Sequence, residues 1–290
     1  MGFRHSVLAM VAPILLLPPM LHAGKKASCT FDTFSAPSGY TLNMVQGIGD
    51  DGTVVGQLID NETQVAVGFL RAPSGDITVY DAPKSSNTWV YGQNASNTSA
   101  GTFTDSKKGS VHGFTLTGST FTQFDYPKAA NTWLFGVNQL GSLAGSFANG
   151  TNTKGFLLSN TGKYTTIAYS GQQATYAMAL NDNGAVVGYY ASGWVNYGFL
   201  WQNGKFTDID YPKAKFGTVL NGINNAGIIV GNRLTADTAQ GFIYQNSAFK
   251  NIVYAGAKYT MTGGINNNGV ISGLIFYNST KSLGFTATCK

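Results

Sequence analysis

Short runs of apolar and β-branched residues alternate along the chain with clusters of glycine, asparagine, aspartate and proline. Runs of about four to eight residues, bounded by such turn residues, are typical of β-strands. Tight hairpin signals lie between them, as at Asn203-Gly204. Outside the N-terminus no stretch has a long helical period, so the pattern predicts an all-β protein.

A Gly-Phe dipeptide returns six times, at steps of 45, 42, 43, 43 and 43 residues. A period of about 43 residues is that of a four-stranded propeller blade. We therefore predict a six-bladed β-propeller with four antiparallel strands in each blade. The dipeptides are Gly68-Phe69, Gly113-Phe114, Gly155-Phe156, Gly198-Phe199, Gly241-Phe242 and Gly284-Phe285.

Each repeat unit holds four strand-like runs, which we label A to D in chain order. In the fourth unit, Leu180–Gly188 contains the A–B turn, Gly198–Trp201 is strand C, and Lys205–Pro212 contains strand D. The proline after D cannot continue a hydrogen-bonded ladder, so D is predicted to be the outer strand. The following segment then crosses inward to strand A of the next unit. A parallel β-solenoid is the competing fold, and the hairpin turns disfavour it.

The two ends of the chain predict how the ring closes. The last unit stops after strand C, at Gly284–Cys289, whereas a D-like run, Thr30–Pro37, precedes the first unit. We expect this N-terminal strand to complete the last blade. Alignment of the repeats then places Cys29 and Cys289 on the two turn positions of a cut C–D hairpin, so we predict a disulfide between them.

The N-terminus indicates export. Residues 1–23 are predicted to be a signal peptide, because a basic start precedes an apolar run, Val7–Leu21, that is short and interrupted by prolines. Residues 24–290 are predicted to form one propeller domain, secreted to the extracellular space or the periplasm. That compartment would permit the disulfide. We expect a monomer with no membrane contact in its mature form.

The repeat units resemble those of the bacterial extracellular repeat proteins called the HAF family. Leu180–Tyr190 followed by Gly198–Trp201 carries the likeness most clearly, and it extends over all six units. The resemblance implies secretion and a repeat fold. It brings no catalytic residues that could be assigned to this chain.

Catalytic chemistry has few candidates in this sequence. After removal of the signal peptide one histidine remains, His112, which we interpret as a rim or packing residue. Glu62 is the only glutamate, and Asp81, Asp125 and Asp210 recur at one repeat position, which favours a structural role. We expect no catalytic residues, no metal site and no cofactor. With 17 basic residues against 13 acidic ones once Arg4 is removed, the charge is also too weak and scattered to indicate nucleic acid.

One end of the predicted propeller is rich in aromatic and basic residues. The D-to-A crossing segments and the B–C loops meet there, and we call this end the crossing-loop face. Trp194 stands out because no other unit has a tryptophan in its B–C loop, and aromatic loop residues suggest ligand contact. The predicted ligand-binding residues are Trp194, Tyr190, Tyr126, Tyr211, Lys84, Lys128, Lys213, Trp89 and Trp133.

These residue types favour a binding module for carbohydrate or another cell-surface polymer. One alternative is an enzyme that cleaves polysaccharide or an ester in the central channel. A glycosidase would need two carboxyl groups facing one bond. Another alternative is a protein-interaction scaffold.

Overall fold

The protein is described by a computed structural model covering residues 24–236, 239–278 and 281–290. The predicted signal peptide, residues 1–23, lies outside the described residues. Every regular element of the described residues is a β-strand, which confirms the all-β prediction. None of them forms a helix long and apolar enough to span a membrane.

The described residues form 25 strands. They are β1 Lys25–Lys26, β2 Cys29–Phe34, β3 Tyr40–Ile48, β4 Val54–Asp60, β5 Ala66–Arg71, β6 Ile77–Tyr80, β7 Ser85–Gln93, β8 Thr98–Asp105, β9 Val111–Thr117, β10 Thr120–Phe124, β11 Asn131–Val137, β12 Leu143–Asn149, β13 Asn152–Leu158, β14 Tyr164–Ile167, β15 Ala174–Leu180, β16 Val186–Ser192, β17 Val195–Gln202, β18 Lys205–Asp208, β19 Thr218–Ile223, β20 Ile229–Leu234, β21 Ala239–Gln245, β22 Ala248–Asn251, β23 Tyr259–Ile265, β24 Val270–Asn278 and β25 Lys281–Cys289.

The strands pair as successive antiparallel meanders in a propeller arrangement. β3 to β6, β7 to β10, β11 to β14, β15 to β18 and β19 to β22 each pair in chain order, and β23 to β25 continue the series. Strand A of each unit (β3, β7, β11, β15, β19 or β23) is hereafter its inner strand.

Hydrogen bonding divides these strands into five sheets, three of four strands, one of five and one of eight. Hydrogen bonding therefore supports the predicted propeller arrangement but does not separate the strands into six four-stranded blades. The eight-stranded sheet arises because one parallel bridge, Thr153 to Ala174, joins β13 to β15. The fifth strand of the five-stranded sheet is β1, which pairs in parallel with β22.

The Gly-Phe repeat is explained by close packing within each unit. All six phenylalanines of the dipeptides are fully buried, with 0% exposure. Glycine is required where backbones meet, both in the dipeptides and elsewhere in a unit. A Cβ on Gly188 of β16, which lies outside the dipeptides, would be 1.8 Å from the carbonyl oxygen of Tyr176 on the adjacent inner strand. At Gly198, a Cβ would lie 2.5 Å from the carbonyl oxygen of Ile209. A methyl group at either site would force the strands apart.

A chain of asparagine side chains links the units at the A–B turns, and the sequence did not reveal it. Each Oδ1 atom accepts amide hydrogen bonds of its own turn, as Asn181 does from Asn183 and Ala185. Each Nδ2 group donates to the backbone carbonyl at the equivalent position of the next unit. The donor–acceptor pairs are Asn94 to Asn138, Asn138 to Asn181, Asn181 to Asn224, Asn224 to Asn266 and Asn266 to Gly49.

The predicted disulfide is confirmed. β2 pairs with β25 in an antiparallel register that places Cys29 opposite Cys289, and the two residues are bonded with their Cα atoms 4.1 Å apart. The bridge spans 260 residues of sequence. It joins the first long strand of the described chain to the last.

Candidate functional site

A cavity of about 420 Å³ lies between the inner strands, toward the crossing-loop face. Residues at two positions along the inner strands point into it, because alternate residues of a strand share a face, and each position is represented on five of the six strands. The outer position contributes Met44, Trp133, Tyr176, Val219 and Met261, and the deeper one contributes Gln46, Tyr91, Phe135, Met178 and Asn221. The wall is therefore mostly aromatic and thioether, with a few polar amides.

Two tyrosine hydroxyls in this cavity remain available to a ligand. Tyr91 and Tyr189 line it, and neither phenol forms a hydrogen bond with any described residue. Burial raises the pKa of both phenols above the ordinary value, so the hydroxyls stay protonated at physiological pH. Tyr176 stacks on Tyr189 with ring centroids 4.7 Å apart. The cavity thus offers flat apolar rings together with hydrogen-bond donors.

Of the two predicted inner-strand tryptophans, Trp133 lines the cavity. Trp89 has the equivalent position on the preceding inner strand and is half-buried. No aspartate, glutamate or histidine is among the described residues that line this cavity. The paired carboxylates that a glycosidase would need are therefore not found at this mouth.

The crossing segments share one backbone geometry, in which the predicted lysines have a left-handed conformation. In the segment 126–129, the amide of Ala129 donates to the carbonyl of Tyr126, and Lys128 has a φ of 63°. The same turn position is left-handed in all six crossings, with lysine in three and glycine in the others. These residues are Gly39, Lys84, Lys128, Gly171, Lys213 and Gly256. A left-handed conformation costs a lysine about 1 kcal/mol relative to glycine, so the three exposed lysines are held in an unfavourable backbone state.

A positively charged groove adjoins the cavity. Its volume is about 460 Å³, and its wall includes Lys213, Lys215, Phe216 and Arg233. Leu234 lines both the groove and the central cavity, so the two spaces are neighbours.

Arg233 is the arginine among the described residues of this groove. Its guanidinium carbon lies 5.0 Å from the ring centroid of Tyr211. Its Nε atom is buried without a hydrogen-bond partner, and no described carboxylate forms an ion pair with it. Nε of Arg71 and Nε2 of Gln93 are buried and unpaired in the same way.

Trp194 is 96% exposed at the tip of the β16–β17 hairpin. The amide of Asn196 in this hairpin donates to the carbonyl of Phe216, which attaches the hairpin to the wall of the charged groove. Phe216 itself is 42% exposed. The predicted aromatic loop therefore lies beside a second exposed ring, one that sequence reasoning missed.

The three predicted tyrosines are packed more deeply. Tyr190 is buried and stacks on Tyr169, with ring centroids 3.8 Å apart. Tyr211 is buried and donates to Oδ1 of Asn251. Tyr126 is half-buried and stacks on Phe147 at 3.7 Å. Tyr190 and Tyr211 therefore support the surface from beneath.

His112 belongs to a hydrogen-bonded series of side chains that the sequence did not suggest. Its Nε2 atom lies 2.8 Å from Oγ of Ser110, and its Nδ1 atom lies 2.8 Å from Oδ1 of Asp125. Ser110 immediately precedes β9 and is two residues before His112, so in extended backbone the two side chains point to the same side. The contact with Asp125 arises only because β10 folds back on β9.

The other two recurrent aspartates also accept hydrogen bonds. Asp81 accepts hydrogen bonds from the hydroxyls of Ser85 and Thr88. Asp210 accepts the amide of Gly198 at 2.9 Å. Burial, with a smaller effect from Asp208, raises the pKa of Asp210.

No protein-family model and no curated protein matches the chain. Among solved structures, a streptogramin B lyase has a TM-score of 0.50 and 14% identity, over 90% of this chain and 98% of the lyase. A catalytically inactive virginiamycin B lyase from Staphylococcus aureus, solved with quinupristin, has a TM-score of 0.51 and 13% identity, over 90% and 99% of the two chains. TolB from Acinetobacter baumannii has a TM-score of 0.54 and 11% identity, over 71% and 52%. At these identities the likenesses show the propeller fold alone.

Proposed function

We propose that this protein is a secreted binding module whose crossing-loop face holds an acidic carbohydrate polymer. The observation that carries the proposal is the adjacency of the aromatic cavity and the charged groove, which share Leu234. Aromatic faces stack on the apolar faces of sugar rings, and the phenols of Tyr91 and Tyr189 are free to bond sugar hydroxyls. The groove supplies positive charge beside that surface.

The acidic character of the ligand follows from the unpaired cations. The guanidinium of Arg233 has a planar fork of donors that matches a carboxylate, and no described carboxylate forms an ion pair with it. Lys213 and Lys215 are exposed beside it. Lys84 and Lys128 extend the positive surface to other crossing segments of the same face. In this proposal Trp194 and Phe216 stack on the ligand outside the cavity, while Tyr190, Tyr211 and Tyr126 support the surface.

The architecture we propose is a single domain of six blades, closed by the N-terminal strand. The pairing of β2 with β25 and the five asparagine links between units support it. Export by the 1–23 signal peptide is supported by the disulfide, because such bonds persist in oxidising compartments. Kinship with the HAF repeat proteins is part of the same proposal and rests on the repeat units alone.

The polymer-cleaving alternative in the channel has less support. The cavity wall has no carboxylate among the described residues, and the aspartates at the opposite mouth are already engaged. The carboxylate of Asp182 accepts a hydrogen bond from the side-chain amide of Asn225, and that of Asp50 accepts one from the side-chain amide of Asn267. A protein partner remains the other alternative, and the experiment below distinguishes it.

The test compares retention of the protein on three immobilised polymers: alginate, which carries carboxylates, dextran sulfate and neutral dextran. We expect saturable binding to alginate, at least tenfold weakening in Arg233→Met, and several-fold weakening in Lys213→Gly and Trp194→Ala. Lys213→Gly preserves the left-handed turn, as glycine does in three other crossings. Lys205→Ala is the matched control, because Lys205 is an exposed lysine at the opposite, C–D hairpin end.

Two results would overturn the proposal. Equal retention on neutral dextran, or binding that Lys205→Ala and Arg233→Met weaken alike, would remove the role of the charged groove. Absence of binding to all three polymers would favour the protein-scaffold alternative. Preferential binding to dextran sulfate that Arg233→Met abolishes would keep the groove as an anion site but replace carboxylate by sulfate.

A further inference from the structure

We propose that Ser110, His112 and Asp125 form a nucleophilic site that hydrolyses small acyl esters. The site is built on the second unit, between the start of β9 and the end of β10. It shares no residue with the central cavity or the charged groove. The inference therefore does not depend on the proposed carbohydrate binding.

The hydrogen bonds fix the proton positions that such chemistry needs. A carboxylate at Asp125 can only accept, so Nδ1 of His112 carries the proton in the 2.8 Å contact between them. Nε2 of Gln123 also lies 3.2 Å from Nδ1, but this contact is longer, and Gln123 donates instead to Asp125. The neutral imidazole then presents the lone pair of Nε2, at 2.8 Å, to the hydroxyl of Ser110. This is the tautomer in which histidine acts as a general base toward serine. Both distances lie within the range expected of a nucleophile, its base and the group that orients the base.

Neighbouring groups hold these three side chains in place. Nε2 of Gln123 donates to Oδ2 of Asp125 at 2.7 Å, leaving Oδ1 for His112. The ring of Phe103 lies against the imidazole, with centroids 5.3 Å apart. Between serine and histidine, the amide of Val111 is fixed by Oδ1 of Asn131. A site whose side chains are supported in this way is organised before substrate arrives.

The exposure of the site indicates its substrate class. The side chains of His112 and Asp125 are 21% and 40% exposed, and Ser110 is half-buried. Such an open site suits an ester that projects from a larger molecule, such as an O-acetyl group. The amide of Ser106, in the loop before Ser110, bonds the carbonyl of Lys84, so this loop belongs to the crossing-loop face.

The reaction balances without any co-reactant except water. Oγ of Ser110 forms a bond to the ester carbonyl carbon while Nε2 of His112 takes the hydroxyl proton. The carbon–oxygen bond to the leaving alcohol breaks, and that alcohol receives the proton from Nε2. Water then attacks the acyl-serine by the same proton route, releasing the carboxylic acid and restoring Ser110. Asp125 is a positioning residue, because it acts through His112.

The first test is covalent labelling of the folded protein with a fluorophosphonate, followed by peptide mapping. We expect a single adduct on Ser110. Hydrolysis of 4-nitrophenyl acetate should accompany it and should fall to the background rate in Ser110→Ala, because this variant removes the nucleophile. Ser106→Ala is the matched control, since Ser106 is an exposed serine of the same loop and is expected to leave both readouts unchanged.

The role of Asp125 has a separate readout. Asp125→Asn should slow labelling of Ser110 without lowering the melting temperature, and Asp125→Glu should restore part of the rate. Labelling that maps to other residues, or a hydrolysis rate that Ser110→Ala leaves unchanged, would overturn the inference. Because the labelling is mapped on wild-type protein, misfolding of a variant cannot obscure the outcome.

Discussion

Replacement of Asn181 by alanine tests the asparagine links that join the units. The residue is 6% exposed, and its Nδ2 atom donates at 3.1 Å to the carbonyl of Asn224, which is itself 3% exposed. Removing this donor leaves a buried carbonyl unsatisfied, at a cost of about 1–3 kcal/mol. The backbone amides of Asn183 and Ala185, which donate to Oδ1 of Asn181, also lose their acceptor. We expect the free energy of unfolding to fall by about 2–4 kcal/mol in total.

The matched control lies two residues away. Asn183 makes the same kind of bond, from Nδ2 to the carbonyl of Asn225 at 3.1 Å, but this bond is exposed to water. Water replaces the lost partner there, so Asn183→Ala should cost less than about 1 kcal/mol. Thermal and denaturant unfolding of both variants measures the difference, expected as a melting temperature about 5–10 °C lower for Asn181→Ala. Equal losses in the two variants would show that burial of the link is not what stabilises the junction.

Two further changes probe the ends of the chain and one buried carboxyl group. Cys29→Ser combined with Cys289→Ser should lower the free energy of unfolding by up to about 5 kcal/mol, because the bond closes a loop of 260 residues. A reductant should then lower the melting temperature of the wild type only. An unchanged melting temperature of the wild type would contradict this. Asp210→Asn tests the raised pKa of Asp210. Because the folded state binds the proton more readily than the unfolded state, the stability of the wild type relative to the variant should fall as pH rises through the pKa of the folded state. This relative stability should be regained as the pH is lowered toward about 4. Melting temperatures of both proteins across acidic pH measure it, and a relative stability that rises with pH would be the opposite sign.

The candidate sites were only partly accessible to sequence reasoning. Trp194 was identified because it departs from the repeat, and the structure leaves it 96% exposed. The partner residues of the charged groove were missed, since Phe216 and Arg233 lie on opposite sides of strand β19 in sequence and meet only through folding. His112 was interpreted as a rim residue, because nothing in a linear sequence places Asp125 against its second nitrogen.

The sequence by itself determined the strand content, the repeat and the pairing of Cys29 with Cys289. The strand content rests on the local apolar period and turn residues. The repeat and the disulfide rest on the constant spacing that copies of one supersecondary unit keep. Only the tertiary structure decided how the hydrogen-bonded sheets divide, which inner-strand side chains face the cavity, and that Arg233 lacks an acceptor. These depend on contacts between residues that are distant in sequence, which the repeat pattern does not specify. A periodic sequence therefore specifies the scaffold, whereas the chemistry depends on how its non-repeating residues are brought together.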